Sequence, residues 1–108
     1  MIRSAAMAAV LLSASAAFAL PVPIAKAPRG QPVTLSGKVM RITDTDAFRL
    51  KDETGVVTVY VGPNDLPVEV GETVTVSGAL EEGFPPEFIA LGLRRADGRE
   101  VTFRHDWG

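Results

Sequence analysis

Ala47-Phe-Arg-Leu-Lys-Asp-Glu-Thr-Gly55, followed directly by Val56-Val-Thr-Val-Tyr-Val61, decides the architecture of this chain. Phe48 and Leu50 alternate with Arg49 and Lys51, and Val57, Val59 and Val61 alternate with Thr58 and Tyr60. A period of two is the mark of a strand with one buried face. Between the two runs, Asp52-Glu-Thr-Gly55 reads as a tight connection whose glycine tolerates positive φ. Residues 47–61 are therefore a β-hairpin.

The same period extends on both sides of the hairpin. Upstream, Val33, Leu35, Gly37 and Val39 alternate with Thr34, Ser36, Lys38 and Met40, and Gly37 marks a bend or bulge in that first strand. A turn at 43–46 separates it from the hairpin. Downstream, Gly62-Pro63 stops the third strand, and residues 64–71 hold two proline-disrupted turns with room for one helical turn. Residues 72–78 make a fourth strand with Val74 and Val76 inward. After the loop 81–86, residues 88–94 make a fifth, with Ile89, Leu91 and Leu93 as its apolar set. Asp97-Gly98 is a hairpin signal, so residues 100–103 return as a short extra C-terminal strand, and 105–108 form a tail that holds His105 and Trp107, to which no role is assigned.

This pattern predicts an all-β fold, a small five-stranded OB-like Greek-key barrel over residues 33–104, since closure removes exposed strand edges. A two-sheet sandwich is the competing architecture. The expected core is Val33, Leu35, Val39, Phe48, Leu50, Val57, Val59, Val61, Val74, Val76, Leu80, Ile89, Leu91 and Leu93.

Composition narrows the chemistry. Of 108 residues 46% are apolar and 22% charged, with 10 Gly and 8 Pro, which suits short strands and turns over a helical bundle. There is no Cys, which excludes disulfides and thiolate chemistry, and His105 is the single His. Ser36 and Ser77 adjoin glycines but lie in no Gly-x-Ser-x-Gly elbow. Glu81, Glu82 and Glu87 could pair as glycosidase carboxylates, yet the region lacks rows of sugar-stacking aromatics. The chain is accordingly read as a non-enzyme that needs no cofactor. Asp44 and Asp46 open like a calcium loop, but Arg49 occupies the sixth position, where such a loop needs glycine. Turn chemistry accounts for Asp44, Asp46, Asp52 and Glu53, with a weak divalent-cation site as the alternative.

Residues 1–19 carry Arg3, an apolar stretch from Met7 to Leu12 and a close on Ala17-Phe18-Ala19, the three-part layout of a secretory signal peptide cut after Ala19. The segment is too short and too diluted with Ser and Ala for a bilayer span, so no transmembrane segment remains after its removal. Cleavage removes one base and no acid, taking the formal charge from −2 to −3. A mildly acidic, exported domain argues against a nucleic-acid partner. Residues 20–32, with prolines at 21, 23, 28 and 32, read as a flexible Pro-rich linker.

From Val33-Thr-Leu-Ser-Gly-Lys-Val-Met-Arg41, through the hairpin strands quoted above, to Val70-Gly-Glu-Thr-Val-Thr-Val-Ser-Gly78, the chain resembles the bacterial OB-fold (BOF) periplasmic stress-tolerance family. Its most specific part is the Phe-x-Leu-x-Asp-x-Thr-Gly hairpin starting at Phe48. The resemblance implies a periplasmic binding protein without catalysis.

In an OB-like barrel the outward face of the second and third strands is the usual binding surface. That face would carry Arg49, Lys51, Thr58 and Tyr60, with Arg41 and Arg94 expected nearby, a small cationic platform with one aromatic. It suits an anionic small or polymeric envelope ligand, or a protein partner, held by charge-assisted hydrogen bonds. The plain alternative is a solvated face on which these cations oppose acids across the sheet. Stacking aromatics for single-stranded nucleic acid are few: Tyr60, then Phe88. A scaffold role for the Pro-rich segment and the 81–86 loop is a further alternative. The exported protein is expected to begin at Leu20, and an intact mass that retains Arg3 would overturn the assignment.

Overall fold

A computed structural model describes residues 18–105, so most of the expected signal segment and the Trp107 end of the tail lie outside the described residues. The described chain forms β1 (Pro32–Asp44), β2 (Ala47–Lys51), β3 (Val56–Tyr60), β4 (Thr73–Leu80), β5 (Glu87–Arg94) and β6 (Glu100–Thr102), with one 3-10 turn at Ile24–Lys26. The strands bond in the order β3-β2-β1-β4-β5-β6, and β3 also pairs with β5. The first five strands thus close into an OB-like barrel, and the extra C-terminal strand β6 is bonded outside it. Closure is made by a parallel pair, Thr58 to Tyr60 beside Glu87 to Ile89, so the sheet is mixed.

Strand β1 makes closure possible. Over 13 residues it serves two neighbours, pairing with β4 from Pro32 to Lys38 and with β2 from Lys38 to Asp44. Gly37 sits at the hand-over, where a Cβ would run into the carbonyl of Lys51 and lie 3.3 Å from Leu50 Cγ. Only glycine permits the strand to coil this closely.

The interior is filled by Leu35, Val39, Phe48, Leu50, Val59, Val61, Val74, Val76, Phe88 and Leu93, all nearly inaccessible. Two expected core residues lie outside the core cluster: Leu91, and Ile89, which is still covered at 8% exposed. Strict alternation puts Leu91 inside, but it is 50% exposed, while Phe88 is 0% exposed. The register explains it: Ser77 faces Gly92 and Gly78 faces Ala90, so Leu91 is an extra residue with no partner on β4. This β-bulge inverts the face of everything before it, taking Phe88 and Ala90 inward and leaving Leu93 inward after it. Gly78 completes the bulge, since a Cβ there would meet the backbone of Ile89 and Ala90.

The Pro-rich segment is not a free tail. Its prolines keep it extended, and the N–H groups between them find acceptors on the barrel: Val22 donates to the Thr34 carbonyl at 3.0 Å and Gly30 to the Leu80 carbonyl at 2.8 Å. Ile24 is 8% exposed and joins the core cluster. The β2–β3 turn fastens this strap. Asp52 Oδ2 accepts from the Ile24 N–H at 2.9 Å, and Thr54 Oγ1 accepts from the Ala25 N–H at 3.0 Å. Asp52 Oδ1 accepts from the Thr54 N–H, the Thr54 hydroxyl and the Gly55 N–H at 2.7, 2.6 and 3.0 Å.

The chain after β6 docks similarly. Phe103 is buried and donates its N–H to the Leu91 carbonyl at 2.9 Å. The Asn64 amide donates to the carbonyls of Val61 and Arg104 at 2.7 and 2.8 Å. Residues 64–71 form no helical turn, but Leu66 and Val68 pack on the core. Glu72 ends this stretch in a two-pronged pair with Arg95, both contacts 2.9 Å. The hydrogen bond from Arg95 holds the Glu72 carboxyl below its ordinary range.

Burial pushes the Asp52 carboxyl up, but its hydrogen bonds from Thr54, Ile24 and Gly55 outweigh that and leave it lowered. A carboxylate lowered by folding contributes stability that is full above its unfolded pKa, about 3.9, and is lost as pH falls through the folded value. Asp52→Asn is expected to flatten the stability profile below about pH 4. Asp52→Ala should cost about 1–2 kcal/mol and speed amide exchange at Ile24 and Ala25 without exposing the β1 and β4 amides, read by hydrogen-exchange NMR.

Candidate ligand-binding face

The register determines what the outward side chains of β1, β2 and β3 meet. Arg41 stands opposite Arg49, Arg49 opposite Thr58, and Thr58 opposite Glu87, giving one row across four strands. The neighbouring row sets Lys38 opposite Lys51 and Lys51 opposite Val56. A bulge at Met40 lets both Lys38 and Arg41 face outward, because the register shifts between Val39 and Arg41. Two like-charged pairs therefore lie side by side on one surface, about 5 Å apart across the strands and about 7 Å apart along them. Acids do not oppose these cations, and among the described residues none of the four belongs to an ion pair. Directly opposed like charges destabilise a sheet by a few tenths of a kcal/mol or more.

Arg49 is the most fixed of the four. It is half-buried, and its Nη1 donates to Thr58 Oγ1 at 3.0 Å. Lys38, Arg41 and Lys51 are exposed. Beside Arg49 opens a cleft of about 490 Å³ between the strap, β3 and the 81–86 loop, lined by Arg29, Arg49 and Thr58 with Ile24, Val56 and Pro86 among its apolar walls. Arg29 Nη1 donates to the Gly83 carbonyl at 3.0 Å, tying the strap to the loop. At that loop Phe84 is 95% exposed.

Tyr60 faces outward in the next row, opposite Ala47 and Ile89. Its ring packs at 6.0 Å from that of His105, whose Nε2 lies 2.7 Å from the Ala90 carbonyl oxygen. The tail therefore covers part of the one aromatic on this face. Phe88, weighed as a second stacking ring, is inside the barrel.

Arg94 is not on the platform. It lies in the half of β5 beyond the β3 pairing, opposite Thr75 and Glu100, and its Nε is 3.2 Å from Glu100 Oε2. Sheet closure brings only the first half of β5 to β3, so a residue at the other end faces a different surface. Lys38 and Arg29 were not singled out from sequence. Alternation marks Lys38 as outward, but its partner depends on register, and Arg29 reaches the cleft only because the strap docks.

Two of the acids serve in turns and fastenings. Asp44 Oδ1 accepts from the Thr45 N–H at 2.8 Å, and Asp52 is engaged as described. Among the described residues no three His, Asp or Glu side chains cluster to hold a metal ion. Glu87 closes the cationic row at its far end, and burial, then the charges of Glu81 and Asp46, push its carboxyl above the ordinary range. The face is thus polarised, cationic on β1 and β2 and acidic toward β5. Among the described residues no helix is long and apolar enough to cross a membrane.

No family model and no curated protein matches the chain. Among solved structures it is similar to the hypothetical protein ygiW from E. coli, with 19% identity and a TM-score of 0.58 over 72% of this chain and 91% of that one. The likeness supports the OB-like barrel.

Reversing either charge of the Lys38–Lys51 pair relieves it. Lys38→Glu and Lys51→Glu should each leave the barrel at least as stable as the parent, with a gain of about 0.2–1 kcal/mol at low salt that shrinks in high salt, measured by urea unfolding.

Proposed function

We propose that this chain is an exported, non-enzymatic OB-like binding protein that holds an anionic envelope ligand, small or polymeric, on the outer face of β1, β2 and β3, in the service of envelope stress tolerance. The observation that carries this reading is the pairing of cation with cation, Lys38 with Lys51 and Arg41 with Arg49. A surface that holds four positive groups against one another loses stability when empty and recovers it when an anion lies between them. Arg49, oriented by Thr58 at the mouth of the cleft, is the group best placed to make a directed contact. Arg41, Lys38 and Lys51 supply charge. Support for localisation comes from the signal-peptide layout of residues 1–19, and support for a binding role from the OB-like fold.

A second reading, a protein-interaction module, is favoured by one observation, the bare ring of Phe84 on the 81–86 loop. Aromatic side chains, Phe among them, are enriched at protein interfaces relative to the rest of the surface.

The test is an NMR titration with polyglutamate, an oligouronate, a short thymidine oligonucleotide and a neutral oligosaccharide as control. Acidic polymers are expected to shift Lys38, Arg41, Arg49, Lys51 and Thr58, with affinity falling as salt rises, and the neutral sugar to shift none of them. Arg49→Glu with Lys51→Glu should weaken binding at least tenfold, consistent with about 1.5 kcal/mol or more for each charge-assisted hydrogen bond lost. Binding that survives this double reversal would overturn the assignment of the face. Binding lost on Phe84→Ala instead would favour the interaction module.

A further inference from the structure

A second surface lies on the far side of the barrel, over β1, β4 and β5. Thr34, Ser77 and Gly92 stand opposite one another in a row of small residues, and the structure seats a piece of the chain's own N-terminal segment on them. The Phe18 ring lies under the Arg94 guanidinium, 4.5 Å from its carbon to the ring centroid. It also rests over Gly92, where an added Cβ would come within 3.6 Å of the ring edge. The Ala19 N–H donates to Thr34 Oγ1 at 3.2 Å, and the Val22 N–H to the Thr34 carbonyl at 3.0 Å. Thr34 is only 3% exposed, the one buried polar residue among the described residues. Beyond Ala19 the groove continues for about 310 Å³ over Ser77 and Gly78, walled by Pro32 and Leu91. Leu91 forms that wall because the β5 bulge turns it outward.

We propose that this groove is a peptide-docking site and that Phe18-Ala19 is its built-in occupant. The partner it fits is an extended segment with an aromatic side chain followed by a small residue. The ring takes the seat between Gly92 and Arg94, and the next N–H reaches Thr34. Arg94 is held in place by its pair with Glu100, which leaves the flat face of the guanidinium free to cover a ring. Cutting the chain after Ala19 removes the occupant and opens the seat, so the site belongs to the processed protein and is closed in its precursor.

The test uses the full-length chain and its Phe18→Ala variant, each titrated with a synthetic peptide of residues 13–20, Ser-Ala-Ser-Ala-Ala-Phe-Ala-Leu. The variant loses a ring outside the core, and unchanged β2 and β3 amide signals show that it is folded. The variant is expected to bind at least tenfold more tightly than the parent chain, with saturable NMR shifts at Thr34, Gly92 and Arg94. A peptide with Phe replaced by Ala should give none. Adding Arg94→Gln to the variant should weaken binding about three- to fivefold. Equal binding by parent and variant, shifts centred elsewhere, or no saturable shift in the variant would overturn the proposal.

Discussion

Strand β1 bonds to β4 through its first half and to β2 through its second, and Lys38 is counted in both ladders. Everything else in the domain follows from that hand-over. A strand that changes partners must coil, and the coil brings the Gly37 backbone against the Lys51 carbonyl so closely that no side chain fits. Once β1 coils, β2 and β4 lie on different sides of the core, the hairpin carries β3 around, and β3 meets β5 in the one parallel pairing. Closure leaves no long free edge among these strands, which suits a small domain without disulfides.

A five-stranded barrel is open at its ends, and this chain covers its openings with segments that carry little regular structure. Ile24 reaches the core from the strap, Leu66 and Val68 pack on it from the β3–β4 connection, and Phe103 reaches it from beyond β6. Polar side chains fasten these pieces: Asp52 and Thr54 hold the strap, and Asn64 holds the segment at Arg104. The strap fastening uses Asp52, one of the acids that a sequence alone offers as a ligand group. The cations of β1 and β2 are left in conflict on one face. Stability is given up there, and strain of that kind, electrostatic in this case, is where function is sought first.

The hairpin over 47–61, the five strands and the C-terminal extra strand were legible because burial of one face imposes a period of two on any single strand. Gly37 was legible for a related reason, since a glycine within such a run signals a close backbone approach. Arg49, Lys51 and Thr58 were placed outward by the same alternation, and β2 and β3 are joined by a short turn that keeps them together. Leu91 and Phe88 were misassigned because an unpaired residue on β5 inverts the alternation, and nothing local to β5 marks which residue will lack a partner. The strap was misread for a similar reason: proline content describes how stiff a segment is, and not whether the barrel offers acceptors for its few N–H groups.

The amino-acid sequence by itself determined the all-β class, the strand boundaries to within a few residues, most of the core and the cationic character of β1 and β2, because each of these depends on side chains near one another along the chain. The tertiary structure alone decided that Lys38 faces Lys51 and Arg41 faces Arg49, that Arg94 sits apart on a different surface, and that the N-terminal strap walls a cleft. Those are properties of register and closure. They depend on which distant backbone supplies each hydrogen-bonding partner, and a shift of one residue in that pairing sends every side chain of a strand to the opposite face.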